Sequence, residues 1–301
     1  MPDDDYRKYL DPKVLEKITR LELRARLIVE GFISGRHKSP FHGFSVEFAQ
    51  HREYVPGDDT RHIDWKLWSR SDRYYIKQYE EETNLRCYIL LDMSESMRYG
   101  SDDHMNKFDY ASCVAGSLAF MLLQQQDAVS LTLFDTDIRR FVPPSGHPAH
   151  IKTMLSEVVS TSQERKTEME SIFHNLAEKI PRRGVIVVVS DLFVPVESLI
   201  KGIQHLRHKR HDVIVFQVLD EAELTFPFQS NTMFHGLEGY PEVLVEPRSL
   251  REAYLREFDK FNTELRRRCV ANNVDFLQLK NSDYLDAALA GYLASRSARA
   301  R

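Results

Sequence analysis

The stretch that decides the fold is CYILLDMSES, which occupies residues 87–96. Its first half is an unbroken apolar run, which is typical of a β-strand buried on both faces of a parallel sheet. The run stops at Asp92, and Ser94 and Ser96 follow at alternate positions. We therefore expect a core strand whose end carries a carboxylate and two hydroxyl groups into the loop beyond it.

Strands and helices alternate along the chain after this stretch. A second apolar run, VIVVV, occupies residues 185–189, and Asp191 follows it two residues later. Helical spacing of apolar residues and further strand-like runs are found at 108–123, 196–208, 129–134 and 213–219. This alternation predicts an α/β fold with a mostly parallel sheet and helices on both faces.

The pattern of apolar residues changes near Leu85, and this change predicts the domain organisation. Residues 1–83 are predicted to be an appended region with an N-terminal helix over 14–28 and extended stretches after it. Residues 84–301 are predicted to be the α/β domain, which ends in a hairpin and further helices.

The acidic strand ends predict a metal site. Strand ends meet at one edge of an α/β sheet, so Asp92, Ser94, Ser96 and Asp191 are expected to lie together there. All are oxygen donors, which favours Mg²⁺, Mn²⁺ or Ca²⁺ over zinc or copper. An ion held by few charges keeps an open position for a carboxylate of a partner. From the residues alone, the equal alternative is that Asp92 and the serines only cap the loop and helix that follow.

Residues 92–97, DMSESM, resemble the metal-ion-dependent adhesion site of von Willebrand factor A domains. The resemblance implies a von Willebrand factor A-like (Rossmann-like) fold and a site that binds a partner protein. The ligands that it implies are Asp92, Ser94, Ser96, Thr167 and Asp191. Thr161 is the alternative to Thr167, because Arg165 and Lys166 precede Thr167 where the family often has glycine. The resemblance also implies that the hydroxyl groups coordinate the ion directly and the aspartates largely through water.

Several spaced motifs resemble, in the same order, the bacterial "domain of unknown function 58" family. They are GFSVEF at 43–48, REYVPGDD at 52–59, RHIDW at 61–65 and KQYE at 77–80. Residues 254–292 also resemble the end of that family. The resemblance implies an adaptor or chaperone-like partner of AAA+ ATPases of the MoxR type.

The composition argues against other functions. The formal net charge of −4 gives no global basic field, so we expect no nucleic-acid partner. No run of 18 apolar residues occurs, so we expect no membrane span. The three cysteines form no CxxC pair, which favours buried thiols in a reducing compartment and a cytoplasmic location.

The alternative function is a metal-dependent hydrolase, a phosphatase or nuclease, that uses Asp92 and Asp191 as ligands. Against it, Ser94 stands where haloacid-dehalogenase-like phosphatases need a second acid. We therefore expect no enzymatic activity.

Residues 54–68 also contain candidate ligands, Asp58, Asp59 and Asp64, with His62 as a possible base. We favour a structural role for this segment, with Trp65 and Trp68 packed beneath the loop.

Overall fold

The computed structural model describes residues 46–55, 63–71, 73–81, 85–101, 105–161, 169–180, 182–236, 241–285 and 288. They belong to two compact units, one within residues 46–81 and the other within residues 85–288. The helix predicted over 14–28 lies outside the described residues. Across this part of the chain, no helix combines the length and the apolar character that crossing a bilayer requires.

The described residues of the smaller unit form two strands and one short helix: β1 (Val46–Glu53), α1 (Trp65–Ser71) and β2 (Tyr75–Glu81). The two strands pair in antiparallel register. Helix α1 begins at Trp65 because the carboxylate of Asp64 accepts hydrogen bonds from the backbone N–H groups of Lys66 and Leu67, at 3.0 and 3.1 Å. Asp64 is therefore the N-cap of α1.

The larger unit alternates strands and helices. In chain order its elements are β3 (Arg86–Asp92), α2 (Lys107–Gln124), β4 (Ala128–Phe134), β5 (Ile138–Ser145), α3 (His150–Ser160), α4 (Met169–Lys179), β6 (Val185–Ser190), α5 (Val196–His208), β7 (Asp212–Leu219), α6 (Glu221–Thr225), β8 (Thr232–Phe234), β9 (Val243–Val245), α7 (Pro247–Ala271) and β10 (Asp275–Lys280). A short 3-10 turn, Glu95–Arg98, follows β3.

The main sheet has six strands in the order β10-β7-β6-β3-β4-β5. All neighbouring pairs are parallel except β4 and β5. The chain leaves β3 toward β4 on one side and returns to β6 on the other, so the strand order switches direction between β3 and β6. Ligands of open α/β sheets bind outside such a switch point, at the carboxyl ends of the strands.

Helices cover both faces of this sheet. Successive strand residues point to opposite faces, and in β3 and β6 both sets of side chains are buried. Tyr88 and Leu90 of β3 belong to one buried cluster with Phe173 of α4, Ile203 of α5 and Leu265 of α7. Helix α2 contacts β3, β4, β6 and β7 and packs on the face to which the intervening residues point. The predicted α/β fold, with a mostly parallel sheet and helices on both faces, is confirmed.

The approach of β6 to β3 depends on a glycine at the start of β6. A Cβ atom on Gly184 would lie 2.4 Å from the backbone carbonyl oxygen of Arg86. We expect Gly184→Ala to lower the free energy of unfolding by about 1–2 kcal/mol, because backbone must shift to relieve the overlap. Urea unfolding measures this change. Arg182→Ala, at an exposed position two residues earlier, is the control and should have little effect.

Candidate functional site

Four neighbouring strands of the main sheet end in buried carboxylates. The strands β3, β4, β6 and β7 lead into Asp92, Asp135, Asp191 and Asp220, which are at most 2% exposed. The four strands are parallel, so these side chains lie along one edge of the sheet. Buried carboxylates are costly unless hydrogen bonds or cations compensate them, so this edge is the candidate site.

Asp92 organises the loop that follows β3. Its Oδ1 accepts a hydrogen bond from the backbone N–H of Ser94 at 2.8 Å. Its Oδ2 accepts one from the hydroxyl of Ser190 at 2.5 Å, which ties the end of β3 to the end of β6. The hydroxyl oxygens of Ser94 and Ser96 lie 3.0 Å apart. The structure therefore places the carboxylate and both hydroxyls in one loop at the switch point.

This spacing fits a divalent cation. Mg²⁺ binds oxygen atoms at about 2.0–2.1 Å in octahedral geometry, which puts adjacent ligands about 3 Å apart. The hydroxyl oxygens of Ser94 and Ser96, which share a hydrogen bond, have this separation. The donor set is made only of hard oxygen atoms, as such an ion prefers.

The environment of Asp92 disfavours its charge. Burial, followed by the negative charge of Asp191, raises the pKa of Asp92 from 3.8 to about 7, although hydrogen bonds from Ser190 and Ser94 act in the opposite direction. A cation at this position would favour the ionised carboxylate. Asp191 directly follows Ser190, whose hydroxyl is hydrogen-bonded to Asp92.

Asp191 is held by a lysine that the sequence analysis missed. The ammonium group of Lys107, on the first turn of α2, donates hydrogen bonds to Asp191 Oδ2 at 2.8 Å and to Glu223 Oε1 at 2.6 Å. Lys107 is 0% exposed, and its Nζ lies 4.6 Å from the centre of the Phe193 ring. Burial alone would lower the pKa of Lys107, but the charges of Asp191 and Glu223 and their hydrogen bonds outweigh it and raise the pKa.

Asp191 thus has both carboxylate oxygens engaged. Its Oδ1 accepts a hydrogen bond from the backbone N–H of Phe193 at 3.2 Å, while Oδ2 faces Lys107. The structure brings Asp191 beside Asp92 as expected, but as the partner of an internal cation. Water-mediated coordination remains compatible with this geometry, because it leaves both hydrogen bonds in place.

The segment after β7 supplies Glu223, whose carboxylate is the second hydrogen-bond partner of Lys107. Asp220 caps α6 by accepting from the backbone N–H of Ala222 at 2.8 Å, and Glu223 Oε2 accepts from the backbone N–H of Asp220 at 2.8 Å. Burial opposes ionisation of Asp220, but hydrogen bonds from Ser101, Ala222 and Asn281 prevail and lower its pKa. Burial raises the pKa of Glu223 even though Lys107 acts against that rise. This capping box therefore fixes Glu223 next to Lys107.

The candidate threonine ligands are placed differently. Thr167 lies outside the described residues. Thr161 follows the last residue of α3, and its hydroxyl donates a hydrogen bond to the backbone carbonyl of Glu157 at 2.7 Å. Thr161 is therefore the C-cap residue of α3.

The expectation for Trp65 and Trp68 is wrong. Trp65 is 57% exposed and Trp68 is 36% exposed, so neither is packed beneath a loop. Trp68 stacks instead on Tyr74 with ring centres 5.9 Å apart, and this contact partly shields both rings. Asp64 is the cap of α1, and Asp58, Asp59 and His62 lie outside the described residues.

Comparisons with known proteins agree with the resemblance read from the motifs. The model of the family described as "Protein of unknown function DUF58" matches residues 50–264. The chain is 23% identical over 291 residues to the uncharacterized protein Rv1480 of Mycobacterium tuberculosis, which covers 95% of this chain and 90% of that protein. The family match begins in the smaller unit and ends in α7.

Solved structures similar to the chain include a conserved hypothetical protein and a VWA domain. One is the conserved hypothetical protein BatB from Bacteroides thetaiotaomicron, with 16% identity, a TM-score of 0.45 and coverage of 71% of this chain and 99% of that one. The other is the VWA domain of SpRpn10, with 12% identity, a TM-score of 0.40 and coverage of 69% and 94%.

Proposed function

We propose that this chain, which belongs to the DUF58 family, is a protein-interaction module that binds an acidic side chain of a partner through a divalent cation at Asp92, Ser94 and Ser96. The observation that carries the proposal is the 3.0 Å separation of the two serine hydroxyls beside a buried carboxylate at the switch point. Ligands that are already in place lower the cost of binding an ion.

Each residue of the site has a part in this proposal. The hydroxyls of Ser94 and Ser96 would hold the ion, and Asp92 positions them through its hydrogen bond to Ser94 N–H. Ser190 fixes the Asp92 carboxylate, while Lys107 compensates the charge of Asp191. A bound divalent cation would supply positive charge and open coordination positions that a carboxylate of the partner can fill.

We propose binding rather than hydrolysis for this site. A hydrolytic mechanism would use Asp191 as a second, direct metal ligand, and the ammonium group of Lys107, 2.8 Å from Asp191 Oδ2, disfavours a cation at that oxygen. A screen of the purified chain against phosphoester and peptide substrates tests the proposal. Metal-dependent turnover that disappears in Asp92→Asn would favour the hydrolase.

The proposed partner is an AAA+ ATPase of the MoxR type, and this part rests on the resemblance of the motifs to the DUF58 family. Affinity capture from lysate of the source organism, followed by mass spectrometry, tests it. We expect recovery of such an ATPase with the wild-type chain in Mg²⁺ but neither in EDTA nor with Asp92→Asn. Recovery that is equal in all three conditions would contradict a metal-dependent contact.

The thermal stability of the chain should depend on the cation. A ligand that binds only the folded state at about 100 times its Kd adds about 2.7 kcal/mol, so we expect Mg²⁺ or Mn²⁺ to raise the Tm by about 5–10 °C. Asp92→Asn should abolish this rise. In EDTA the variant loses one acceptor oxygen of Asp92 but also a buried charge that Asp191 repels, so its Tm there should lie close to that of the wild type.

A second variant at the same edge provides the control. The two carboxylate oxygens of Asp135 share the Nε–H of Arg139, at 2.7 and 2.8 Å, and Asp135 takes no part in the proposed site. Asp135→Asn should lower the Tm in EDTA and keep the response to Mg²⁺. The Mg²⁺-induced rise in Tm would then be lost in Asp92→Asn and kept in Asp135→Asn. A rise that survives Asp92→Asn would rule out the assigned ligands.

A further inference from the structure

An apolar groove lies between the loop after β6 and helix α7. It has a volume of about 610 Å³. Phe193 forms one wall, and Leu250, Ala253, Tyr254 and Phe258 form the other. The volume lies in the range of grooves that accept ligand-sized groups.

The groove is built from stacked aromatic rings. Tyr254 and Phe258 stack with ring centres 5.5 Å apart, and Phe193 meets Phe258 edge to face at 6.0 Å. Phe193 is nevertheless 40% exposed, and Leu250 at the other wall is exposed to the same extent. Large apolar side chains that remain open to solvent at a formed groove are typical of surfaces that bind a partner.

The groove and the proposed metal site share one loop. Phe193 lies two residues after Asp191, at most about 7 Å along the chain. The Phe193 ring lies over the same Lys107 ammonium that binds Asp191. On the opposite wall, the hydroxyl of Tyr254 donates a hydrogen bond to the carbonyl of Glu223, the second partner of Lys107. The segment from Asp191 to Phe193 therefore connects the neighbour of Asp92 to the wall of the groove.

We infer that the partner segment carries a carboxylate and, about two to four residues away, a large apolar side chain that enters the groove beside Phe193. This inference rests on the proposed function and names the chemistry of the partner. The charges set the direction of the segment. Glu257, which pairs with Lys260, is the charged side chain among the described residues that line the groove, so the groove lining offers no cation to an acidic group, whereas the metal ion attracts one.

The experiment is a selection that does not require the partner to be known. The full chain is immobilised in MgCl₂, a phage library of random 12-residue peptides is applied, and the bound phage are eluted with EDTA. We expect enriched peptides to contain Asp or Glu two to four residues from Phe, Leu, Met or Trp. One enriched peptide is then synthesised with a fluorescent label, and its Kd is measured by anisotropy.

Variants on α7 test the groove without touching the metal site. Ala253 is exposed on the wall of the groove, so Ala253→Arg fills the groove with little effect on folding. We expect it to weaken binding of the peptide about tenfold or more, as the loss of an apolar anchor does. Val270→Arg, on the same helix at a position 63% exposed and away from the groove lining, is the matched control and should change the Kd less than about twofold.

The outcomes separate this inference from the proposed function. Peptides with an acid but no apolar consensus, or a Kd that Ala253→Arg does not change, would overturn the inference while the Mg²⁺-induced rise in Tm persists. Peptides that remain bound in EDTA, or no enrichment at all, would also overturn it. Loss of the rise in Tm in wild-type protein would instead overturn the proposed function. The inference is supported only if the acid, the apolar residue and Mg²⁺ are each required.

Discussion

Lys107→Met is expected to lower the free energy of unfolding by about 3–5 kcal/mol, because it leaves Asp191 and Glu223 buried without their shared cation. Methionine has nearly the length of lysine, so the loss would come from charge rather than from a cavity. Urea unfolding at neutral pH measures it. Lys260→Met is the matched control: Lys260 faces Glu257 at 3.5 Å on the surface, where an ion pair contributes at most about 1 kcal/mol.

A double variant identifies the cause of this loss. If buried charge is responsible, adding Glu223→Gln to Lys107→Met should restore part of the stability, because one of the two stranded carboxylates is removed. A loss in Lys107→Met no larger than that in Lys260→Met would contradict the assignment of Lys107 as the internal cation of the site. A double variant whose loss of stability exceeds the sum of the losses in the two single variants would also contradict it.

The strands of the main sheet could be predicted because their signal is local. Apolar runs of five residues with an acid one or two positions after them have few structural explanations, and both β3 and β6 were found where the runs are. The strand ends then had to share one edge, which placed Asp92 next to Asp191. The loop geometry at Ser94 and Ser96 follows from their alternate positions after the strand.

The partners of Lys107 could not be predicted in the same way. Asp191 and Glu223 lie 84 and 116 residues away in sequence, and no local pattern reports contacts of that range. One signal was present: α2 is apolar around most of its circumference, so a residue in its first turn has little access to solvent. The exposure of Trp65 was missed for the opposite reason, because tryptophan is usually buried.

The four strand-end acids are compensated in different ways, and this explains why one of them suits a cation. Asp135 is paired with Arg139 and Asp191 with Lys107. Asp220 is stabilised by neutral donors that lower its pKa. Burial and the charge of Asp191 raise the pKa of Asp92, and the two serine hydroxyls lie beside it. An ion at this position would relieve the unfavourable charge of Asp92.

Without divalent cations, the contribution of Asp92 to the stability of the chain should fall as the pH rises from 5 to 8. The pKa of Asp92 is about 7 in the folded chain and 3.8 as the ordinary value, so between these values the folded state binds a proton that the unfolded state has lost. The stability linked to this proton is fully present below pH 3.8 and is lost as the pH passes 7. Between pH 5 and 8 the loss is on the order of 2–3 kcal/mol.

Asp92→Asn isolates this contribution, because an amide does not titrate and all other groups are unchanged. Urea unfolding in EDTA at pH 5 and pH 8 should show a decrease in wild-type protein that exceeds the decrease in the variant by that amount. Mg²⁺ should reverse the trend in wild-type protein, since the ion binds the ionised carboxylate and stabilises the fold more at pH 8 than at pH 5. Equal pH dependence of wild type and variant in EDTA would mean that Asp92 is ionised throughout this range, and the cation would then have no unfavourable charge to relieve.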